Sequence, residues 1–217
     1  LALMARTKSV SHSNIIRPQS GLIYGEYLTL VLDVTRTSHG VQTNTFSQET
    51  YCRMNRLTGD PANEILPGLW LGNAQASQDI LFLQQKKIDA VFNCTKNLPF
   101  VHSVKRKYRL PVDDNLQDEE IRNMELMSFE VAYKVIHEYK QGPILVHCAA
   151  GMQRSAAVVA MFLIATKGMK TDEAIKYIRE RRPIAFQPGP NFLKAIQGFE
   201  RTFDRDIRAL LEKDPKN

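Results

Sequence analysis

The sequence predicts an α/β fold, a mostly parallel central sheet flanked by helices with an N-terminal extension, and three observations carry that prediction. From Asn63 onward short apolar runs alternate with segments of helical period, the pattern of parallel strands joined by crossover helices. One such run, Ile144 to His147, passes through a short loop into a nearly all-apolar segment, Ala156 to Lys167, which sets a buried strand against a buried helix. The 217 residues, 43% hydrophobic and 24% charged, suffice for one core without a disulfide or metal staple. They exclude a chain disordered throughout, a collagen-like chain and a membrane-embedded body.

Residues 1–62 differ in composition from the rest. They are rich in Ser, Thr, Asn and Gln, and only Tyr27 to Val34 alternates in the manner of a strand. This stretch is expected to be a polar extension that packs on the body or on a second copy, an inexpensive route to a homodimer. Residues 63–217 form the body. Glu64-Ile65-Leu66 and Leu69-Trp70-Leu71-Gly72 flank Pro67-Gly68, two short strands around a turn. Ser77 to Lys87 carries Ile80, Leu81 and Leu83 on one face, a helix. Ala90 to Asn93 and Tyr108 to Pro111 are short strands. Asp118 to Lys140 is a long helix with Ile121, Met124, Val131, Val135 and Ile136 along its stripe and Gly142 beyond its end. The apolar helix after Ile144–His147 stops at Gly168. Thr171 is the expected cap of the next helix, which ends at Arg182-Pro183, and Asn191 to Lys213 gives one or two more.

Charge and cysteine usage narrow the partners. A net charge of +6 and a pI near 9.2 favour anionic partners such as phosphate esters, nucleic acid or acidic lipid. Cys52, Cys94 and Cys148 cannot all pair, and their spacing offers no metal cluster, so a reducing compartment, cytoplasm or nucleus, is expected. Leu28 to Val34 is far too short to span a membrane. The first ten residues hold Arg6 and Lys8 and no apolar run of secretory length, so no secretory leader is expected.

The informative segment is Ile144-Leu145-Val146-His147-Cys148-Ala149-Ala150-Gly151-Met152-Gln153-Arg154-Ser155. A strand delivers a cysteine, five residues turn, and an arginine opens a helix. Backbone N–H groups gathered at a helix N-terminus make an anion site. The small residues Ala149, Ala150 and Gly151 let the backbone wrap closely, and Gly151 tolerates conformations other residues resist. Arg154 grips two phosphate oxygens as a fork. The same positive end favours the Cys148 thiolate. Thiolate, oxyanion cradle and fork are the parts that phosphoryl transfer to sulfur requires.

On these residues the chain resembles the cysteine-dependent protein phosphatases of the dual-specificity branch, within the protein-tyrosine-phosphatase superfamily. The likeness runs from about Glu64 to Glu200 and takes in Leu66-Pro67-Gly68-Leu69-Trp70-Leu71-Gly72, Val91-Phe92-Asn93, Leu110-Pro111-Val112-Asp113-Asp114, the loop itself, and Phe186-Gln187-Pro188-Gly189-Pro190-Asn191-Phe192. The resemblance implies a catalytic domain over residues 63–217 that attacks phosphotyrosine and phosphoserine or phosphothreonine in protein substrates. Cys148 is then the nucleophile and Asp114, three residues after Pro111, the general acid. The N–H groups of Ala149, Ala150, Gly151, Met152, Gln153 and Arg154, with the Arg154 guanidinium, hold the phosphate. Ser155 bonds the sulfur and eases its departure, and His147 sits behind the loop. No metal or cofactor is implied.

Further residues carry expectations of their own. Asp113 is solvated or ties the acid's loop down, and Asp118 caps the following helix. Cys94 ends the strand beside the loop, as a buried small residue or as a disulfide partner of Cys148 under oxidation. The run Lys105-Arg106-Lys107 with Arg109 is a solvated loop or an attractor of phosphorylated substrate. Arg179, Arg181 and Arg182 complement a helix C-terminus. Gln187 and Asn191 approach the pocket rim. Three other functions stay open. A phosphoinositide phosphatase would carry lysines where Ala149, Ala150, Met152 and Gln153 stand. An RNA 5′-triphosphatase would carry a His-Gly and Asn-Arg-Thr pattern, which counts against nucleic acid as a partner. A catalytically silent phosphate-binding scaffold would have lost Cys148, Arg154 or Asp114.

Overall fold

The computed structural model describes residues 59–212, with side chains through residue 203. The expected strand at Tyr27 to Val34, the extension's dimer contact and Cys52 lie outside the described residues.

Pro67-Gly68 between two apolar runs closes a tight hairpin, in which β1 (Ala62–Leu66) pairs antiparallel with β2 (Leu69–Gly72). There follow α1 (Ala74–Gln78), α2 (Ile80–Gln85), β3 (Ala90–Asn93), β4 (Arg106–Arg109), α3 (Asp118–Gln141), β5 (Ile144–His147), α4 (Arg154–Lys167), α5 (Thr171–Arg181) and α6 (Leu193–Glu212). The strand order is β1-β2-β5-β3-β4, and every neighbouring pair but β1 with β2 is parallel.

Register decides which side chains meet which helices. Trp70, Leu145 and Val91 stand in one row across the three central strands, and Leu71, Val146 and Phe92 stand in the next. Successive residues point to opposite faces. The first row therefore meets Leu83 of α2, Ile88 and Val104 in a small core. The second meets the large core built with α3, α4 and α6. In α4 every residue from Arg154 to Ile164 is buried, so its nearly unbroken apolar run reflects a helix enclosed on all sides. This is the mostly parallel sheet flanked by helices that the strand and helix pattern predicted.

Local departures have local causes. The single helix expected over Ser77 to Lys87 is two, broken at Asp79, whose backbone is extended and whose carboxylate accepts from Phe82 N at 2.9 Å, capping α2. The strand expected at Tyr108 to Pro111 lies two residues earlier. Leu110 N closes the ladder on Asn93 O at 2.9 Å, and Pro111 has no N–H with which to extend it. Asp118 is the first residue of α3 rather than its cap, which is Gln117, without a side-chain bond. Thr171 likewise opens α5 rather than capping it. Lys170 holds the cap position and donates its N–H to Glu173 Oε2 at 2.8 Å, while Glu200 receives Thr171 N at 2.9 Å and its hydroxyl at 2.7 Å. Among the described residues no helix is long and apolar enough to cross a membrane.

Candidate active site

β5 runs into residues 148–153, all buried, before Arg154 opens α4. The carbonyls of this loop are bonded outward in turn. Cys148 O faces His147 Nδ1 at 3.3 Å, Ala149 O accepts from Ala74 N at 3.0 Å, and Met152 O accepts from Phe186 N at 2.8 Å. Ala150 O and Gly151 O accept from the Arg182 guanidinium at 3.2 and 2.8 Å, and Gln153 O from Ala157 N at 2.8 Å. A trans peptide directs its N–H opposite to its C=O. Carbonyls held against the scaffold therefore turn the N–H groups toward one concavity at the N-terminus of α4. The turn depends on Gly151, at φ 66°, where an added Cβ would lie 2.5 Å from Gly72 O.

Into this concavity the loop places Cys148 Sγ, which accepts from Gly151 N and from the Ser155 hydroxyl, each at 3.2 Å. Burial by itself pushes the thiol up. The positive charge of Arg154 and the hydrogen bonds of the Ser155 hydroxyl and N–H outweigh it, against a smaller opposing push from Asp114, and the net result is a Cys148 pKa below the ordinary thiol value. A thiolate favoured in this way is a ready nucleophile. Arg154 is only 8% exposed and also donates through Nη1 to Val112 O at 3.2 Å, joining the cradle to the stretch that carries Asp114.

That stretch, residues 110–117, is held from two sides. Lys96 bridges Asp113 at 2.7 Å and Glu120 at 2.6 Å, and Glu120 accepts from Asp113 N at 2.9 Å, so Asp113 ties the loop down. Asp114 itself accepts from Asn191 Nδ2 at 2.8 Å. Asn191 N in turn donates to Gln153 Oε1 at 3.0 Å, while Gln153 Nε2 donates to Gln187 O and Gly189 O at 3.0 and 2.8 Å. Asn191 therefore positions the carboxylate. The Gln187 side chain turns back toward Pro183 O at 3.4 Å.

Two groups lie behind the cradle. His147 is fully buried, and desolvation lowers its pKa to about 3, against the opposing pull of its Cys148 contact and with smaller contributions from the nearby Arg109 and Arg154 charges. It is a neutral ring, with Nδ1–H facing Cys148 O and Nε2 enclosed without a hydrogen-bond partner among the described residues. Cys94 is also fully buried at the end of β3, its N–H donating to His147 O at 2.8 Å. Burial, then the Cys148 charge, push its thiol well up. Cys94 and Cys148 are not joined in a disulfide.

The basic clusters are mostly structural. Arg106 pairs with the buried Glu138, Lys105 meets Asp89 at 3.0 Å, and Arg109 donates to Thr95 O, Lys96 O and Leu98 O at 2.8, 3.1 and 2.8 Å. Arg182, expected to complement a helix end, is 1% exposed beneath the loop. It, Lys96 and Glu120 are the site-supporting residues that sequence reasoning missed. A surface cavity of about 470 Å³ along α5, lined by Asp172, Ile175, Lys176, Arg179 and Glu180, contains none of the loop's residues. Among the described residues no three His, Cys, Asp or Glu side chains are grouped to hold a metal ion.

Known proteins resemble this chain in sequence and in fold. Residues 69–202 match the family described as dual specificity phosphatase, catalytic domain. Dual specificity protein phosphatase Mpk3 of Drosophila melanogaster is 35% identical over 144 residues, 63% of this chain and 33% of its own length. Dual specificity protein phosphatase 8 of Homo sapiens is 29% identical over 153 residues, 70% of this chain and 24% of its own. The chain thus spans about a quarter to a third of these curated relatives. The crystal structure of DUSP15 superposes with a TM-score of 0.62 at 25% identity, covering 72% of this chain and 97% of that one.

Proposed function

The chain belongs to the dual-specificity phosphatase family, and from that premise we propose that it hydrolyses phosphotyrosine and phosphoserine or phosphothreonine in protein substrates through a cysteinyl-phosphate at Cys148. The observation that carries this reading is the sulfur atom. It accepts hydrogen bonds from Gly151 N and the Ser155 hydroxyl at 3.2 Å, in a loop whose carbonyls are turned to the scaffold. Substrate phosphate enters the concavity with its equatorial oxygens on the N–H groups of Ala149 to Arg154 and on the Arg154 fork.

The Cys148 thiolate attacks phosphorus with its electron pair, the P–O bond to the leaving group breaks, and Asp114 donates its proton to the departing oxygen. In the second step Asp114, now ionised, takes a proton from water as that water attacks phosphorus. The S–P bond breaks, its electrons return to sulfur, and the Ser155 hydroxyl stabilises the reappearing thiolate. Inorganic phosphate leaves. His147, neutral and buried, fixes the loop's first carbonyl. Residues 63–217 supply this chemistry, residues 1–62 serve interaction, and a reducing compartment, cytoplasm or nucleus, keeps Cys148 reduced.

The test is phosphate release from a phosphotyrosine peptide, a phosphothreonine peptide, a phosphoinositide and a 5′-triphosphate RNA, by the wild type and by Cys148→Ser. Turnover of both peptides, lowered about 10⁴-fold or more by the substitution, is the expected result. Faster hydrolysis of lipid or RNA would keep the chemistry and overturn the substrate class. No turnover of any substrate would leave a phosphate-binding scaffold.

A further inference from the structure

We infer that Arg182 is a positioning residue of the phosphate loop, whose buried guanidinium clamps the carbonyls of Ala150 and Gly151 and so aims the N–H groups of Gly151 and Met152 into the anion cradle. The inference rests on the reading of Cys148 as nucleophile. An arginine needed only to complement a helix end would remain in solvent. Arg182 is 1% exposed instead, a placement that is costly unless its donors are satisfied. Nε donates to Gly151 O at 2.8 Å and Nη2 to Ala150 O at 3.2 Å. Nη1 donates to Asp60 O at 2.9 Å and to Asn63 Oδ1 at 2.6 Å.

The position of these bonds gives them their consequence. Ala150 O and Gly151 O belong to the peptides on either side of Gly151, where the chain takes its left-handed turn. Two neighbouring carbonyls aimed at one place repel each other, and a cation between them removes that repulsion. The same cation polarises both peptides, so their opposite ends, Gly151 N–H and Met152 N–H, become stronger donors. Gly151 N–H is the group that reaches Cys148 Sγ at 3.2 Å. The guanidinium's other arm holds Asn63 of β1, so the cradle is aligned against the sheet edge by one rigid planar group.

The experiment compares Arg182→Met, Arg182→Lys and Asn63→Ala in the full chain. It reads the pH dependence of Cys148 alkylation by iodoacetamide, mapped by mass spectrometry, the affinity for inorganic phosphate, and kcat against KM on a phosphopeptide. In Arg182→Met the alkylation midpoint moves to higher pH, phosphate binds about tenfold more weakly, and kcat falls about 10²-fold with a smaller change in KM. Arg182→Lys restores part of each, since it keeps charge without the fork. Asn63→Ala shifts all three in the same direction by less. A folded Arg182→Met chain with wild-type midpoint and phosphate affinity overturns the proposal, even if it melts earlier. If both Arg182 variants fail to fold, Asn63→Ala decides, and unchanged midpoint and affinity there overturn it. Alkylation and phosphate binding require no turnover, so an inert wild type would refute the proposed hydrolysis and still leave the clamp measurable.

Discussion

Residues 148–153 and residues 110–117 are joined through Arg154, yet they are held in place by different means. The first stretch is buried throughout, and its carbonyls are bonded to α1, to α4, and to Arg182 and Phe186 in the segment after α5. The second is exposed at Pro111 and from Asn115 to Gln117. It is held at separate points by Glu120, Lys96, Arg154 and Asn191. In the proposed mechanism charge develops on the equatorial oxygens that the first stretch would surround, so its donors must stand ready before substrate arrives. As the proposed acid, Asp114 would serve a leaving group whose shape varies with the substrate, and side-chain tethers suit that task better than a close-packed backbone does. The proposed mechanism thereby assigns rigid anion binding and adaptable proton delivery to different parts of the chain.

Substitutions that strike one stretch and spare the other sharpen the contrast. Gly151→Ala is expected to have the largest effect, since the new Cβ meets Gly72 O at 2.5 Å and the residue stands at φ 66°. Stability should fall by about 2–4 kcal/mol, with loss of phosphate binding, as thermal melts with and without phosphate will show. Asp114→Asn should lower turnover about 10²-fold or more on alkyl phosphates, far less on an aryl phosphate with a good leaving group, and leave phosphate affinity intact. Ser155→Ala removes a hydrogen bond that holds the Cys148 thiol down. The reactive thiolate is lost as pH falls through the Cys148 pKa, so a raised pKa moves the acid limb of the pH–rate profile to higher pH. Turnover at neutral pH should fall about tenfold. Asn191→Ala should cost about threefold to tenfold in kcat by loosening Asp114, with the alkylation profile of Cys148 unchanged. An equal shift of that profile in Asn191→Ala would break the division between the two stretches.

The parts legible in the sequence are those whose signal is contiguous. Strand, loop and helix around Cys148 follow one another within twenty-four residues of chain, Ile144 to Lys167, and hydrophobic period plus loop chemistry locate them. The position of Asp114 follows from its offset from Pro111 within a family likeness, which composition alone does not supply. Arg182 was hidden because its meaning lies in acceptors at Asp60, Asn63, Ala150 and Gly151, remote in sequence, while its neighbours Arg179 and Arg181 suggest ordinary helix-end charge. Glu120 and Lys96 were hidden in the same way. The break at Asp79 had a visible signal, an N-cap acid just before the apolar residues of α2, which the longer apolar period masked.

The pairing of Arg106 with the buried Glu138 also bears on how the molecule behaves in a crowded solution. Among the described residues β4 is the outermost strand on its side of the sheet, and its four residues, Arg-Lys-Tyr-Arg, carry three cations. Glu138 receives Arg106 and the Tyr108 hydroxyl, which fastens the strand to α3, while Lys107 and Arg109 stand exposed. A neighbouring chain seeking to add a strand there would have to desolvate those charges and bring its own β4 cations beside them. The rim of the sheet thus repels its own kind, and aggregation through this border should be suppressed most strongly at low ionic strength.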